Sequence, residues 1–135
     1  KAIDEQVFML QAEVVERMVA PAGSSDFSRL SVMLQARYDM ERVLEVPPEA
    51  FEPKPKVNSA VVRMIPRQDY DLSDTQWNAL EKIVAAAFSQ RRKMLRTNLQ
   101  TFADHLKLTE QELKARAQDI SVDRYIEWAK MIAAE

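Results

Sequence analysis

The sequence predicts a small mixed β-sheet followed by an all-helical unit, and three observations carry that expectation. Residues 6–11 (QVFMLQ), 41–46 and 57–65 are short runs rich in apolar and β-branched side chains, the composition of strands. From Ser73 onward the apolar spacing changes to three and four residues, as in Trp77, Leu80, Ile83, Val84, Ala87 and Phe88, the stripe of an amphipathic helix. Between the two patterns lies a largely polar stretch, residues 66–72 (PRQDYDL), which reads as a boundary. The expected organisation is therefore an α/β part over residues 1–66, a linker over 67–72 and a helical part over 73–135.

Each element has its own local reason. Residues 6–11 are apolar on both faces, as in a strand buried within a larger sheet. The chain then turns to helical spacing through Val14, Val15 and Met18, until Pro21-Ala22-Gly23-Ser24-Ser25 breaks it. Ser25 or Asp26 can cap a second helix running to about Asp39, with Phe27, Leu30, Met33, Leu34 and Tyr38 on one face. Strands 41–46 and 57–65 most economically form an antiparallel pair. Their connecting loop carries Pro53 and Pro55, whose fixed φ and effect on the preceding residue make it stiff.

Ser73 is a good N-cap, and the negative charge of Asp74 suits a helix N-terminus. The spacing leaves open whether that helix continues through Gln90. Met94, Leu95, Leu99 and Phe102 supply the next apolar face. Thr109 and Glu112 form a capping box at the start of residues 109–117. Ser121 caps a last helix whose Tyr125, Ile126, Trp128, Ala129 and Ile132 close the core. The seven methionines sit at core spacings and read as filler.

Composition narrows the functional classes. The 135 residues are 47% hydrophobic and 30% charged, the balance of a globular protein. No apolar stretch approaches the ~20 residues of a membrane span, and no signal-peptide pattern occurs, so the expected location is the cytoplasm, away from membranes. The absence of cysteine excludes disulfides and thiolate sites, and a lone His105 argues against a histidine-based metal site.

The net charge of −2 speaks against nucleic acid, but its distribution speaks for it. Lys82, Arg91, Arg92, Lys93 and Arg96 place five positive charges between residues 82 and 103 with no acid among them; the rest of the chain therefore carries −7. Screening limits charge to a reach of about 8 Å at physiological salt, so local clustering decides phosphate affinity. The competing reading is a solvated helix face, on which Arg92 and Arg96, four apart, would be neighbours. Phe51, set just before the stiff proline loop, is placed either to meet a flat ligand or to plug the core beneath the loop. Glu13 and Glu16 lie on a charged helix beside Arg17 and read as a solvated face.

Several strings in this order resemble one family. They are Met9-Leu10-Gln11 with Glu13-Val14-Val15 and Arg17; Arg29-Leu30-Ser31-Val32 with Gln35; and Val46-Pro47-Pro48. Then follow Phe51-x-Pro53-x-Pro55-Lys56-Val57-x-Ser59-Ala60-Val61-Val62, Gln90-Arg91-Arg92-Lys93-x-Leu95-Arg96, and Ile120-Ser121-Val122. Together they resemble the KsgA-type rRNA adenine dimethyltransferases, which methylate adenine N6 with S-adenosylmethionine. The departures are Ser28 for a frequent glycine, Lys54 within a frequent proline run, and Asn58 for a common aspartate.

The resemblance implies the last three strands of a Rossmann-like methyltransferase sheet followed by a helical rRNA-binding part. It implies that Phe51 stacks on a flipped-out target adenine, and that Lys56 contacts the neighbouring phosphate, unless it is merely an exposed loop lysine. It implies that Arg91, Arg92, Lys93 and Arg96, with Arg116 as a weaker member, grip the RNA backbone of the small ribosomal subunit; Arg91 has a structural role as its alternative. The family's glycine-rich cofactor loop and its Asn-Leu-Pro-Tyr motif are absent, and a nucleotide loop of that kind needs several glycines where this chain has only Gly23. The expectation is a C-terminal half, starting at Lys1 without an initiator Met, with no catalytic or cofactor-binding residue of its own and silent alone. The competing class is a free-standing nucleic-acid-binding or protein-interaction module.

Overall fold

A computed structural model describes residues 5–50, 52, 53 and 56–134. Strand β1 (Gln6–Gln11) leads into helices α1 (Ala12–Val19) and α2 (Arg29–Gln35), then strand β2 (Tyr38–Val46) and strand β3 (Ser59–Pro66). Five helices follow: α3 (Asp74–Ala87), α4 (Leu95–Asn98), α5 (Ala103–Leu106), α6 (Glu110–Lys114) and α7 (Val122–Ala133). Short 3₁₀ turns cover Pro48–Ala50, Gln100–Phe102 and Ala117–Asp119. Strands before residue 67 and helices from Asp74 onward follow the change in apolar period.

The sheet order is β1-β3-β2, with β3 antiparallel to both neighbours. The expected mixed pairing is thus replaced, among the described residues, by antiparallel pairing throughout. β1 and β2 run the same way but are not paired with each other, because the returning strand β3 inserts between them. On one face Ala60, Val62 and Met64 of β3 pack against Val15 and Met18 of α1. A bulge at Val43 shifts the β2 register, so that Arg42 opposes Val62 while Leu44 opposes Val61.

β1 is an edge strand exposed on both faces, with Val7 58% and Phe8 43% accessible. Its outer edge has no strand partner among the described residues. An apolar edge of this kind is a template for further pairing, which natural sheets normally cover.

Two helix boundaries differ from the sequence expectation. The second helix begins at Arg29 and ends at Gln35, because Ser28, not Ser25 or Asp26, takes the N-cap position; its hydroxyl and that of Ser31 serve each other's backbone in a capping box. Leu30 is consequently exposed and Tyr38 belongs to β2, while Val32 and Ser31 are buried. The polar inner face has a use. The Ser31 hydroxyl donates to the Arg17 carbonyl, and the Gln35 amide donates to the Met18 and Ala20 carbonyls at 2.9 and 2.7 Å, satisfying the end of α1.

The larger core lies in the helical part. Leu80, Ile83, Val84 and Ala87 of α3 meet Leu95, Leu99, Leu106, Tyr125, Ile126, Trp128 and Ala129, and Phe27, Val32 and Ala36 join them from before residue 67. Ser73, Thr109 and Ser121 cap α3, α6 and α7 as expected, each accepting a bond from the amide three residues on.

Residues 67–72 are polar yet tied down. The Arg67 guanidinium donates to both Asp69 oxygens at 3.0 and 2.7 Å, pairs with Asp39 at 3.4 Å, and lies 4.5 Å above the Tyr70 ring. The Tyr70 hydroxyl donates to Asp123 of α7, and burial, reinforced by that carboxylate, pushes the phenol up to about 12.

Arg124 of α7 closes the helical unit from the other side. Its Nε and Nη2 donate to the two Glu112 oxygens at 2.6 and 3.0 Å, with both side chains largely covered. The hydrogen bonds from Arg124 hold the Glu112 carboxyl below the ordinary carboxylate range. A depressed carboxyl adds stability above its unfolded pKa and loses it as pH falls through the folded one. Glu112→Gln is therefore expected to lower the melting temperature by roughly 3–8 °C at pH 7. Melting curves at stepped pH should show the gap to wild type closing below the carboxylate range; a gap independent of pH would mean the pair acts by packing alone.

Candidate nucleic-acid interface

Helix α3 ends at Ala87, and Phe88 caps it. The basic string therefore does not continue the helix. The amide of Lys93 donates to the Gln90 carbonyl at 2.9 Å, closing a four-residue turn with Arg91 and Arg92 at its centre. The expectation that Arg92 and Arg96 share one helix face is overturned: Arg92 lies in this turn and Arg96 in the following helix α4. The run is broken because Phe88 packs with Phe27 and Tyr125, at ring separations of 6.2 and 6.1 Å, while Leu95 must re-enter the same core seven residues later.

The turn fixes different fates for its cations. Arg91 is half-buried and its guanidinium donates to the Ser25 carbonyl in the loop between α1 and α2. Arg92, Lys93 and Arg96 are exposed, and no ion pair joins them to an acid among the described residues. The Leu95 amide donates to the Ala115 carbonyl at 2.8 Å, setting the exposed Arg96 and Arg116 on either side of one backbone bond. Arg116 keeps its own side chain exposed while its amide donates to Asp119 at 3.1 Å. The Gly23 amide donates to the Gln118 carbonyl at 2.6 Å, so the Pro21–Ser28 loop, the basic turn and residues 115–118 converge on one surface.

Lys56 stands apart from that surface. It is exposed just before the Ser59 end of β3, whereas the helical unit departs from the Pro66 end, roughly 25 Å along an eight-residue strand. Phe51, the expected base-stacking ring, lies outside the described residues. Near Lys56, Asn58 donates to Glu45 at 2.5 Å and its carbonyl accepts from Ala12 at 2.9 Å, joining the loop to the start of α1. A cavity of about 330 Å³ opens there, lined by Gln11, Glu13, Glu16, Glu45, Val57 and Asn58. Glu13 and Glu16 are engaged with Arg17 and Arg42 at 3.0 and 3.6 Å, the solvated charged face read from the sequence.

The residues here do not fit an S-adenosylmethionine loop. Gly23, at φ +93°, follows helix α1, and its amide is already committed to Gln118. A cofactor loop of the doubly wound fold needs free amides at a strand-to-helix turn. Among the described residues no group of three or more His, Asp or Glu side chains is placed to hold a metal ion, and no helix is long and apolar enough to cross a membrane. The sequence reading missed Asn98, whose amide binds the turn from below, and the Arg67–Tyr70–Asp123 tie; neither leaves a periodicity signal.

Residues 1–134 match the family model described as ribosomal RNA adenine dimethylase. The ribosomal RNA small subunit methyltransferase A of Burkholderia cenocepacia (strain HI2424) is 53% identical over 98% of this chain and 49% of its own length. Its namesake in Burkholderia mallei (strain SAVP1) is 52% identical over 96% of this chain and 48% of its own. Among solved structures, a dimethyladenosine transferase from Plasmodium falciparum superposes with a TM-score of 0.76 at 22% identity, over 92% of this chain and 55% of that one. The 23S rRNA methyltransferase ErmE gives 0.62 at 20% identity, over 95% and 54%. These two show a likeness of fold alone, that of rRNA methyltransferases. The chain spans about half the length of the curated relatives it matches. Matched by the family model over nearly its whole length, it belongs to the ribosomal RNA adenine dimethylase family.

Proposed function

We propose that this chain is the RNA-docking half of an S-adenosylmethionine-dependent dimethyltransferase acting on N6 of two adjacent adenines near the 3′ end of small-subunit rRNA, in cytoplasmic ribosome biogenesis. Methyl transfer and cofactor binding belong to the other half. The observation that carries the reading is the Gln90–Lys93 turn, whose Arg92 and Lys93 have no acidic partner among the described residues, in a chain of net charge −2. Arg92, Lys93 and Arg96, with Arg116 beside them, grip phosphates; Arg91 shapes the turn; Lys56 and Phe51 serve the target base. The exposed apolar strand β1 supports a missing half over a free-standing module, because an independent domain covers such an edge.

This chain alone is expected neither to bind S-adenosylmethionine nor to methylate RNA. Titration calorimetry should show no saturable heat; micromolar binding would overturn the division of labour.

In the complete enzyme, neutralising Arg92 and Lys93 together should weaken binding to the small ribosomal subunit without unfolding the protein. The plot of log affinity against log salt should flatten by about 0.7–0.9 for every phosphate that is no longer neutralised. An unchanged slope would make the turn merely solvated.

Phe51→Ala should behave differently. Methyl transfer should fall while docking and its salt slope hold, since stacking serves the flipped base and not the backbone. A large drop in melting temperature would instead identify the ring as a core plug.

A further inference from the structure

The geometry points to Asn98 as the positioning residue of the RNA grip, an inference that rests on the reading of Arg92 and Lys93 as phosphate contacts. Asn98 closes helix α4 and is half-buried. Its side-chain amide donates to two carbonyls, that of Ala87 at 2.8 Å and that of Gln90 at 2.9 Å. Both partners accept only, so the NH₂ group must face them, and no other orientation of the amide satisfies the pair.

The two carbonyls are not equivalent. Ala87 is the last residue of α3, and its carbonyl is one of the group that a helix end leaves without an intrahelical donor. Gln90 opens the basic turn, and its carbonyl also accepts from Lys93. One side chain therefore sets the distance between the end of α3 and the first residue of the turn. From the opposite side Arg91 is anchored on the Ser25 carbonyl. Between these two anchors the backbone carrying Arg92 and Lys93 is fixed, although neither side chain makes a hydrogen bond or ion pair among the described residues.

Two exposed, flexible cations gain from a fixed base. Ordering a lysine or arginine on a phosphate costs side-chain entropy, and a mobile turn would add backbone entropy to that cost. Asn98 removes the second term before RNA arrives. Its role is to hold Arg92 and Lys93 in register and not to contact RNA.

The test is a double-mutant cycle in the complete enzyme, using a small-subunit rRNA 3′-end fragment as probe. Wild type, Asn98→Ala, Arg92→Ala/Lys93→Ala and the triple variant are compared for affinity at several salt concentrations, alongside melting temperature. Asn98→Ala should weaken binding about threefold or more and flatten the salt slope. In the Arg92→Ala/Lys93→Ala background it should change neither. Any fall in melting temperature should be the same in both backgrounds. Asn98→Ser, which keeps one donor, should fall between wild type and Asn98→Ala, and it takes the place of Asn98→Ala should that variant not fold. Equal fractional losses of affinity in both backgrounds, or an unaltered slope in Asn98→Ala and Asn98→Ser, would overturn the positioning role and leave the phosphate grip standing. An unaltered slope in Arg92→Ala/Lys93→Ala would overturn the grip itself, and the positioning role with it.

Discussion

One apolar core, filled from both sides of residues 67–72, is the constraint on which the rest of this structure depends. Phe27, Val32 and Ala36 precede the last two strands in sequence, yet they are buried with Leu80, Ile83, Tyr125 and Trp128 of the helical part. An aromatic chain, Phe27–Phe88–Tyr125–Trp128, runs through it with ring separations of 6.2, 6.1 and 5.4 Å. Tilted and edge-on contacts of this kind contribute about 0.5–1.5 kcal/mol each beyond the area they bury. Because Phe88 is fixed in that chain and Leu95 must return to it, the residues between them have one short path. The basic turn is that path.

Polar ties then remove the freedom that the core leaves. Arg37 stacks on Trp77 at 4.2 Å, and the Arg67 amide donates to the Arg37 carbonyl at 2.7 Å. Arg67 and Tyr70 extend the link to Asp123 of α7. A stretch rich in charge would be a flexible connector if its side chains were solvated. Here Arg67 pairs with Asp39 of the sheet and Tyr70 bonds Asp123 of α7, so the helical part that carries the basic turn is held against the sheet.

How much of this was legible in the sequence depended on whether the signal was periodic. The change from strand composition to helical spacing placed all three strands, and Ser73, Thr109 and Ser121 marked their helices through local hydrogen bonding that any short window contains. The second helix was misplaced because Ser25, Asp26 and Ser28 are all competent caps, and only the Ser28–Ser31 pairing with the buried hydroxyl decides among them. The antiparallel β2–β3 pair was expected, but the insertion of β3 between β1 and β2 was hidden for a different reason. Strand order is a property of contacts between distant segments, and composition carries no record of it. For the site, the sequence located the cations but not their fates. That Arg91 is consumed by Ser25, 66 residues away, and that Asn98 reaches back to Ala87, follows only from the folded path.

The acidic balance of the chain is compatible with a basic surface because of where many of the acids stand. Arg17, Arg42, Arg63, Arg67 and Arg124 each have a carboxylate partner, and those pairs lie on α1, the sheet, the 67–72 stretch and the α6–α7 contact. Charges paired this closely cancel within less than a Debye length, so they contribute little field at the basic turn. What the basic turn and α4 add is the sum of Arg92, Lys93 and Arg96, with acids absent from residues 83–103. The same total charge, spread evenly, would repel a polyanion at every approach. On the reading proposed above, cations concentrated on one surface give a polyanion a preferred side of approach. On the same reading, orientation counts as well as strength, since phosphate contacts set how a nucleic acid lies on the protein before any base is reached.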